Sequence, residues 1–249
     1  MSLGGTMNTT TTSDAATYTV INAMTDIIAA PSRALDEIRQ HPRWFWWPLL
    51  ISLAVTIGVF AWYYHWVDFE WFTNEVIRQA IADGAPADQA EQISAFMSPG
   101  KQVLFTAIAI VVISLVIYTI QAAYFHIVNK VAGDASLGYG QWFSYSVWTA
   151  FVGIVNALVM FVVILLADSN QLPIERLNPL SMNSLFIHAE AGDAWFTWGN
   201  SLTLVHFWML WLMTLGFSRW TGSSMTKSAL VAVTPWALIF GIWAIMIVN

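Results

Sequence analysis

Five stretches of this 249-residue chain, at about 45–67, 103–128, 142–167, 195–217 and 228–248, are apolar and contain no Lys, Arg, Asp or Glu. The hydrocarbon core of a bilayer takes about 20 residues of helix, so each run is long enough to cross once. The runs are continuous, whereas barrel strands alternate over about ten residues. Only 10% of the chain is charged, against about 25% in ordinary soluble domains. That is too little charge to coat a water-facing surface. The 15 Trp, 15 Phe and 7 Tyr suit a lipid–water boundary. A soluble enzyme and a disordered chain are excluded, and the net charge of -6 argues against a nucleic-acid partner. Without Cys there is no disulfide, thiolate metal site or cysteine nucleophile. The expected fold is an all-α integral membrane bundle of five transmembrane helices.

The basic residues set its orientation. With the N-terminus cytoplasmic, Arg33, Arg39, Arg43, Lys130, Arg219 and Lys227 lie inside, and Arg78, Lys101 and Arg176 outside. The positive-inside rule therefore places the N-terminus in and the C-terminus out. Ten of the 15 acidic residues then lie outside, leaving that face net -7 and the inner face net +1. Trp44, Trp46 and Trp47 at one end of the first run, with Trp62 and Trp66 at the other, sit where interface anchors belong.

Residues 1–15 read as a polar, disordered tail. Residues 16–43 read as short amphipathic cytoplasmic helices, with Pro31 at a first helical position. Ala34, Leu35 and Ile38 form a narrow apolar stripe, and pattern alone leaves two placements open: on the inner leaflet, with Arg33, Arg39 and Arg43 at the lipid, or under the bundle. The transmembrane domain then runs over 44–249. Its outer loop 68–100 is too long for a plain connection. Phe69, Phe72, Val76 and Ile81, then Ala90, Ile93 and Phe96, predict a helical hairpin, with Gly84 ending the first helix and Pro86 opening the second. Outer loop 168–194 reads as irregular and folded over the bundle.

The segment IIAAPSRALDEIRQHPRWFWWPLL resembles the leading segment of bacterial members of the Yip (Ypt-interacting-protein) family: an apolar pair, Pro, a short amphipathic helix, then a Pro- and aromatic-rich start of the first span. GDASLGYGQWFSYSVWTAF is similar to the family's Gly-rich inner loop and third-span start. The resemblance covers about 22–249. It implies a five-helix membrane fold and placement in a bacterial cytoplasmic (inner) membrane. The Pro often found one turn into the third span is absent, with Ser146 to Ala150 in its place. Eukaryotic relatives are implied in trafficking through small Rab-type GTPases. Bacteria lack that machinery, so the resemblance supplies a fold rather than a function.

Polar residues inside spans are functional candidates by default. Ser114, Tyr118 and Gln121 share one side of the second span, with His126 near its inner end. Tyr145, Thr149 and Asn156 mark the third, and Thr203 and His206 the fourth. Facing one another, these stripes would line a polar cavity for a small solute, a proton or a lipid headgroup. The plainer reading is interhelical hydrogen bonding of about 0.6–2 kcal/mol per bond, favoured because no charged residue accompanies them. Thr149, Gly153 and Ala157, and Ala237 with Gly241, repeat at four-residue spacing, which allows close helix packing within one bundle or across a homo-oligomer. Pro235 is expected to kink the last span.

On the outer side, His65, Asp68 and Glu70 close the first span, while His188, Glu190 and Asp193 lie in the later loop. Imidazole and carboxylate suit zinc or another divalent cation, although spread acids are more often a solvated face. No cofactor is required. The sequence holds no HExxH, GxSxG, GxxxxGK[ST] or helix-opening GxGxxG. The expectation is a non-enzymatic membrane protein that organises lipids or an unidentified membrane or cytoplasmic protein partner. The alternative is a transporter or channel for a small solute or divalent cation.

Overall fold

The computed structural model describes residues 17–82, 84–86, 88, 90–132 and 136–248. The expected tail 1–15 and the start of the Gly-rich loop (133–135) lie outside the described residues. Among the described residues the chain forms helices α1 (Val20–Ala29), α2 (Pro31–Gln40), α3 (Trp46–Trp66), α4 (Phe69–Ala82), α5 (Ala90–Phe96), α6 (Pro99–Ala132), α7 (Tyr139–Ala150), α8 (Ile154–Leu165), α9 (Ala194–Ser201), α10 (Leu204–Thr221) and α11 (Met225–Val248). Among the described residues, four helical stretches are long and apolar enough to cross a membrane: Pro42–Trp66, Pro99–Val131, Tyr139–Leu165 and Met225–Val248.

Local chemistry sets most boundaries. Thr19 caps α1 through a reciprocal box with Asn22. Pro31 opens α2, where its missing N–H leaves nothing unpaired. Asp68 opens α4 by accepting from the Trp71 N–H at 3.1 Å. Gly84 and Gly222, at φ 97° and 71°, close α4 and α10 in the left-handed conformation that glycine adopts without strain.

The third expected span is continuous but not uniformly α-helical: Phe151–Gly153 tightens to a 3-10 turn. No proline is needed for this. Thr149 Oγ1 donates to the Tyr145 and Ser146 carbonyls at 2.9 and 3.2 Å, and such back-bonding bends helices.

The fourth expected span, 195–217, differs from the sequence reading. It is divided into α9 and α10, and neither part is among the four helices long and apolar enough to cross. Thr203 between them is extended (φ -125°, ψ 162°) and bridges Ser181 of the preceding loop. The Met182 N–H donates to Leu202 O at 2.7 Å, and the Leu204 N–H to Leu180 O at 3.0 Å. Loop 168–194 therefore dips into the bundle and holds the break open.

The amphipathic stripe settles under the bundle. Ala34, Leu35 and Ile38 are fully buried in a core shared with Phe125, Trp142, Tyr145, Phe217 and Trp220. Trp220 Nε1 donates to Leu35 O at 2.9 Å, and Arg219 pairs with Asp36. At the opposite end Tyr63, Tyr64, Phe72, Ile164 and Leu177 form a second core, against which Phe69, Trp71 and Val76 of α4 also pack.

Candidate functional site

Two of the polar side chains singled out in the spans, Ser114 and Tyr118, line a cavity of about 460 Å³ between α3, α6 and the α7–α8 junction. Ser52, Thr56 and Thr106 share its wall with Leu53, Phe60 and Ile110. Tyr64 and Thr106 hydroxyls bond at 3.0 Å at one end of this slot, and Gly153 of the 3-10 turn forms part of the opposite wall. Ser52 and Thr56 were missed by the sequence reading. They stand at i, i+4 in the first span, so the spacing rule applied to later spans would have found them.

The remaining polar candidates lie elsewhere: Thr149 bonds only carbonyls of its own helix, and others fasten helices together. Asn156 Nδ2 donates to Thr203 Oγ1 at 3.3 Å. Thr203 Oγ1 lies 2.9 Å from His206 Nδ1, which also accepts from the Thr203 N–H at 3.1 Å. With Nδ1 accepting, a neutral ring carries its proton on Nε2. This chain secures the α9–α10 break to α8. Fully buried Tyr145 donates to the Met213 carbonyl, tying α7 to α10. Gln121 Nε2 reaches Met213 Sδ at 3.6 Å, and the His126 ring meets Tyr139 edge-on at 6.3 Å. The nine residues therefore do not share one cavity.

The outer-loop candidates are separated by their local duties. Asp68 caps α4 and accepts from Gln171 Nε2 at 3.0 Å; these bonds hold its carboxyl below the usual range. Asp193 caps α9 through the Trp195 N–H at 2.9 Å. His65 and Glu70 are exposed, and His188 and Glu190 line a different, aqueous cavity of about 450 Å³ with Glu75, Arg78, Glu175 and Arg176. Among the described residues no group of three or more His, Asp or Glu side chains is placed to hold a metal ion. His65, Asp68, Glu70, His188, Glu190 and Asp193, offered as possible zinc ligands, therefore form no such group among the described residues, and two of them, Asp68 and Asp193, are engaged in capping backbone N–H groups.

At the α1–α2 end, Arg39 and Arg43 are exposed. The Arg33 guanidinium lies over the Tyr18 ring at 4.6 Å and 3.8 Å from Asp26. Tyr18 donates to Asp26 at 3.0 Å, and burial together with that carboxylate raises its pKa.

Compared with known proteins, residues 25–246 match the family described as the Yip1 domain. No curated protein and no solved structure matches the chain.

Proposed function

The chain belongs to the Yip1 domain family, matched over nearly its whole length, and is an integral membrane protein; from that premise we propose that it works sideways in the bilayer, organising lipids or protein partners without catalysis. The observation that carries this reading is the use made of its intramembrane polar groups. Tyr145 hydrogen-bonds across helices to Met213, and Asn156 to Thr203, which His206 holds locally, whereas a transporter needs a continuous polar route. Meanwhile the most apolar stretch of α6 has no residue buried inside the protein, and its exposed Leu104, Ile108, Val112 and Val116 offer surface to lipid or to a neighbouring helix.

The same reading takes five crossings, with α9 and α10 together as the fourth. Two contacts support it: Gly192, just before α9, lies near Ala82 of the outer hairpin, while Trp220 of α10 reaches α2. Five crossings with the basic residues inside place the N-terminus in the cytoplasm, and the resemblance to bacterial members favours the inner membrane. Arg39 and Arg43 then face anionic headgroups, a weak pull of about 1 kcal/mol each.

Proteoliposome flux separates this from transport. Entry of protons and of divalent cations is measured for the wild type and for Thr203→Val. The expected result is wild-type flux at the empty-liposome background. Wild-type flux above that background, whatever the Thr203→Val variant does, sinks the lateral reading.

A further inference from the structure

Several hydroxyls elsewhere in these helices are quieted by their own backbone, although buried Ser144 in α7 is not. Thr73 donates to Phe69 O at 2.8 Å, Thr214 to Leu210 O at 2.8 Å, Thr234 to Leu230 O at 2.6 Å and Ser228 to Ser224 O at 2.9 Å. The slot between α3, α6 and the α7–α8 junction gathers two unpaired hydroxyls on one wall. Among the described residues, the Ser52 and Thr56 hydroxyls on its wall form no hydrogen bond. At hydrocarbon depth an unmet hydroxyl is costly, so an occupant that offers hydrogen-bonding atoms is favoured there.

Three further features narrow the occupant. No Lys, Arg, Asp or Glu lines the slot, so a phosphate, an ammonium or a metal ion would sit there without counter-charge. Ile113 on its rim is 57% exposed on the apolar surface of α6, so access is from hydrocarbon. Thr106 and Tyr118, both on the wall, stand about 18 Å apart along α6 at the helical rise of 1.5 Å per residue. A space of that length and about 460 Å³ suits an extended chain better than a compact solute.

We propose that this slot holds one chain of a neutral glycerolipid, of the mono- or diacylglycerol class, taken sideways from the bilayer with its hydroxyl and ester oxygens toward Ser52, Thr56 and Ser114. The proposal rests on the lateral reading above and names a ligand for it.

The test uses the full chain in phosphatidylcholine nanodiscs with a monoacylglycerol carrying a diazirine in its acyl chain. After irradiation, adducts are mapped by mass spectrometry. Labelling is expected on segments 52–60 and 106–118, and monooleoylglycerol should compete for it while phosphatidylglycerol does not. Gly153 lines the slot, and a Cβ built on it meets nothing within 4 Å. Gly153→Leu is therefore expected to fill the slot, keep the unfolding midpoint, and cut labelling there at least about tenfold, the equivalent of 1.4 kcal/mol. Labelling on the exposed α11 face at Ile239 and Ile242 should not change. Thr56→Val with Ser114→Ala keeps the slot's shape, removes two hydroxyls, and should weaken competition by monooleoylglycerol even if Gly153→Leu fails to fold. Even labelling along all of α6, equal competition by phosphatidylglycerol, or indifference to both variants overturns the proposal. If lipid or a partner is still retained elsewhere on the protein, the slot alone is refuted and the lateral reading stands.

Discussion

The Tyr124 hydroxyl donates to the Val231 carbonyl at 2.8 Å, and Val231 is the residue four before Pro235 in α11. Proline has no N–H, so this carbonyl has lost its helical donor. A side chain from α6 replaces it and stitches α6 to α11 at the point where α11 is weakest.

Tyr124→Phe should therefore lower stability by about 1–2 kcal/mol, the cost of leaving a partly buried acceptor unpaired. Chemical unfolding in bicelles measures it. In a Pro235→Ala background the backbone donor returns, and the same substitution should cost less than half as much. Equal costs in both backgrounds would show that the bond does not serve the proline.

Close approach of helices depends on Gly216. A Cβ there would lie 2.5 Å from Tyr145 Cε2 and 3.1 Å from Leu35 Cδ2. Both side chains are fully buried, so neither has room to yield. Gly216→Ala should destabilise by about 1–3 kcal/mol through overpacking. Gly153→Ala, in open space, should be near neutral. A drop in melting temperature for Gly216→Ala no larger than for Gly153→Ala contradicts the packing described.

Thr203→Val removes the acceptor for Asn156 Nδ2 and the hydroxyl beside His206 together with the α10 cap. A loss of about 1–2 kcal/mol is expected, with faster hydrogen exchange at Leu204 and Val205. Unchanged exchange there would mean that the backbone pairing with loop 168–194 suffices to hold the break.

Acid should loosen the outer hairpin in a defined window. The Arg78 guanidinium beside Glu75, with Nε 2.8 Å from Oε2, holds that carboxyl below its ordinary value of 4.5. A carboxyl depressed on folding contributes stability above its unfolded pKa and loses it as pH falls through the folded one. Exchange protection in α4 should be flat from pH 7 to about 5 and decline below about 4, the ordinary carboxylate range. Glu75→Gln should remove much of that decline. The effect is small, because Arg78 is largely exposed.

What the sequence disclosed follows from how local each determinant is. The long apolar runs, the Gly84 stop and the Phe69–Phe72–Val76 stripe depend on neighbours within a few residues, and the corresponding helices formed. The break at Thr203 was not legible because its cause is distant: the backbone of Leu180 and Met182 pairs with a segment whose periodicity reads as helix. The stripe of Ala34, Leu35 and Ile38 announced a buried face, but only the position of Trp220 decides that α10, not lipid, covers it. Asp68 and Asp193 stand at helix starts, a local signal that accounts for them without an ion. The slot needed α3 and α6 side by side, which no single span's spacing reveals.

Whether this membrane protein works laterally rather than as a conduit is tested most directly by native mass spectrometry of the protein extracted gently from its own membrane. Retained lipid, a partner chain or a defined oligomer is the predicted result. A monomer carrying only a metal ion or a small polar solute would contradict it.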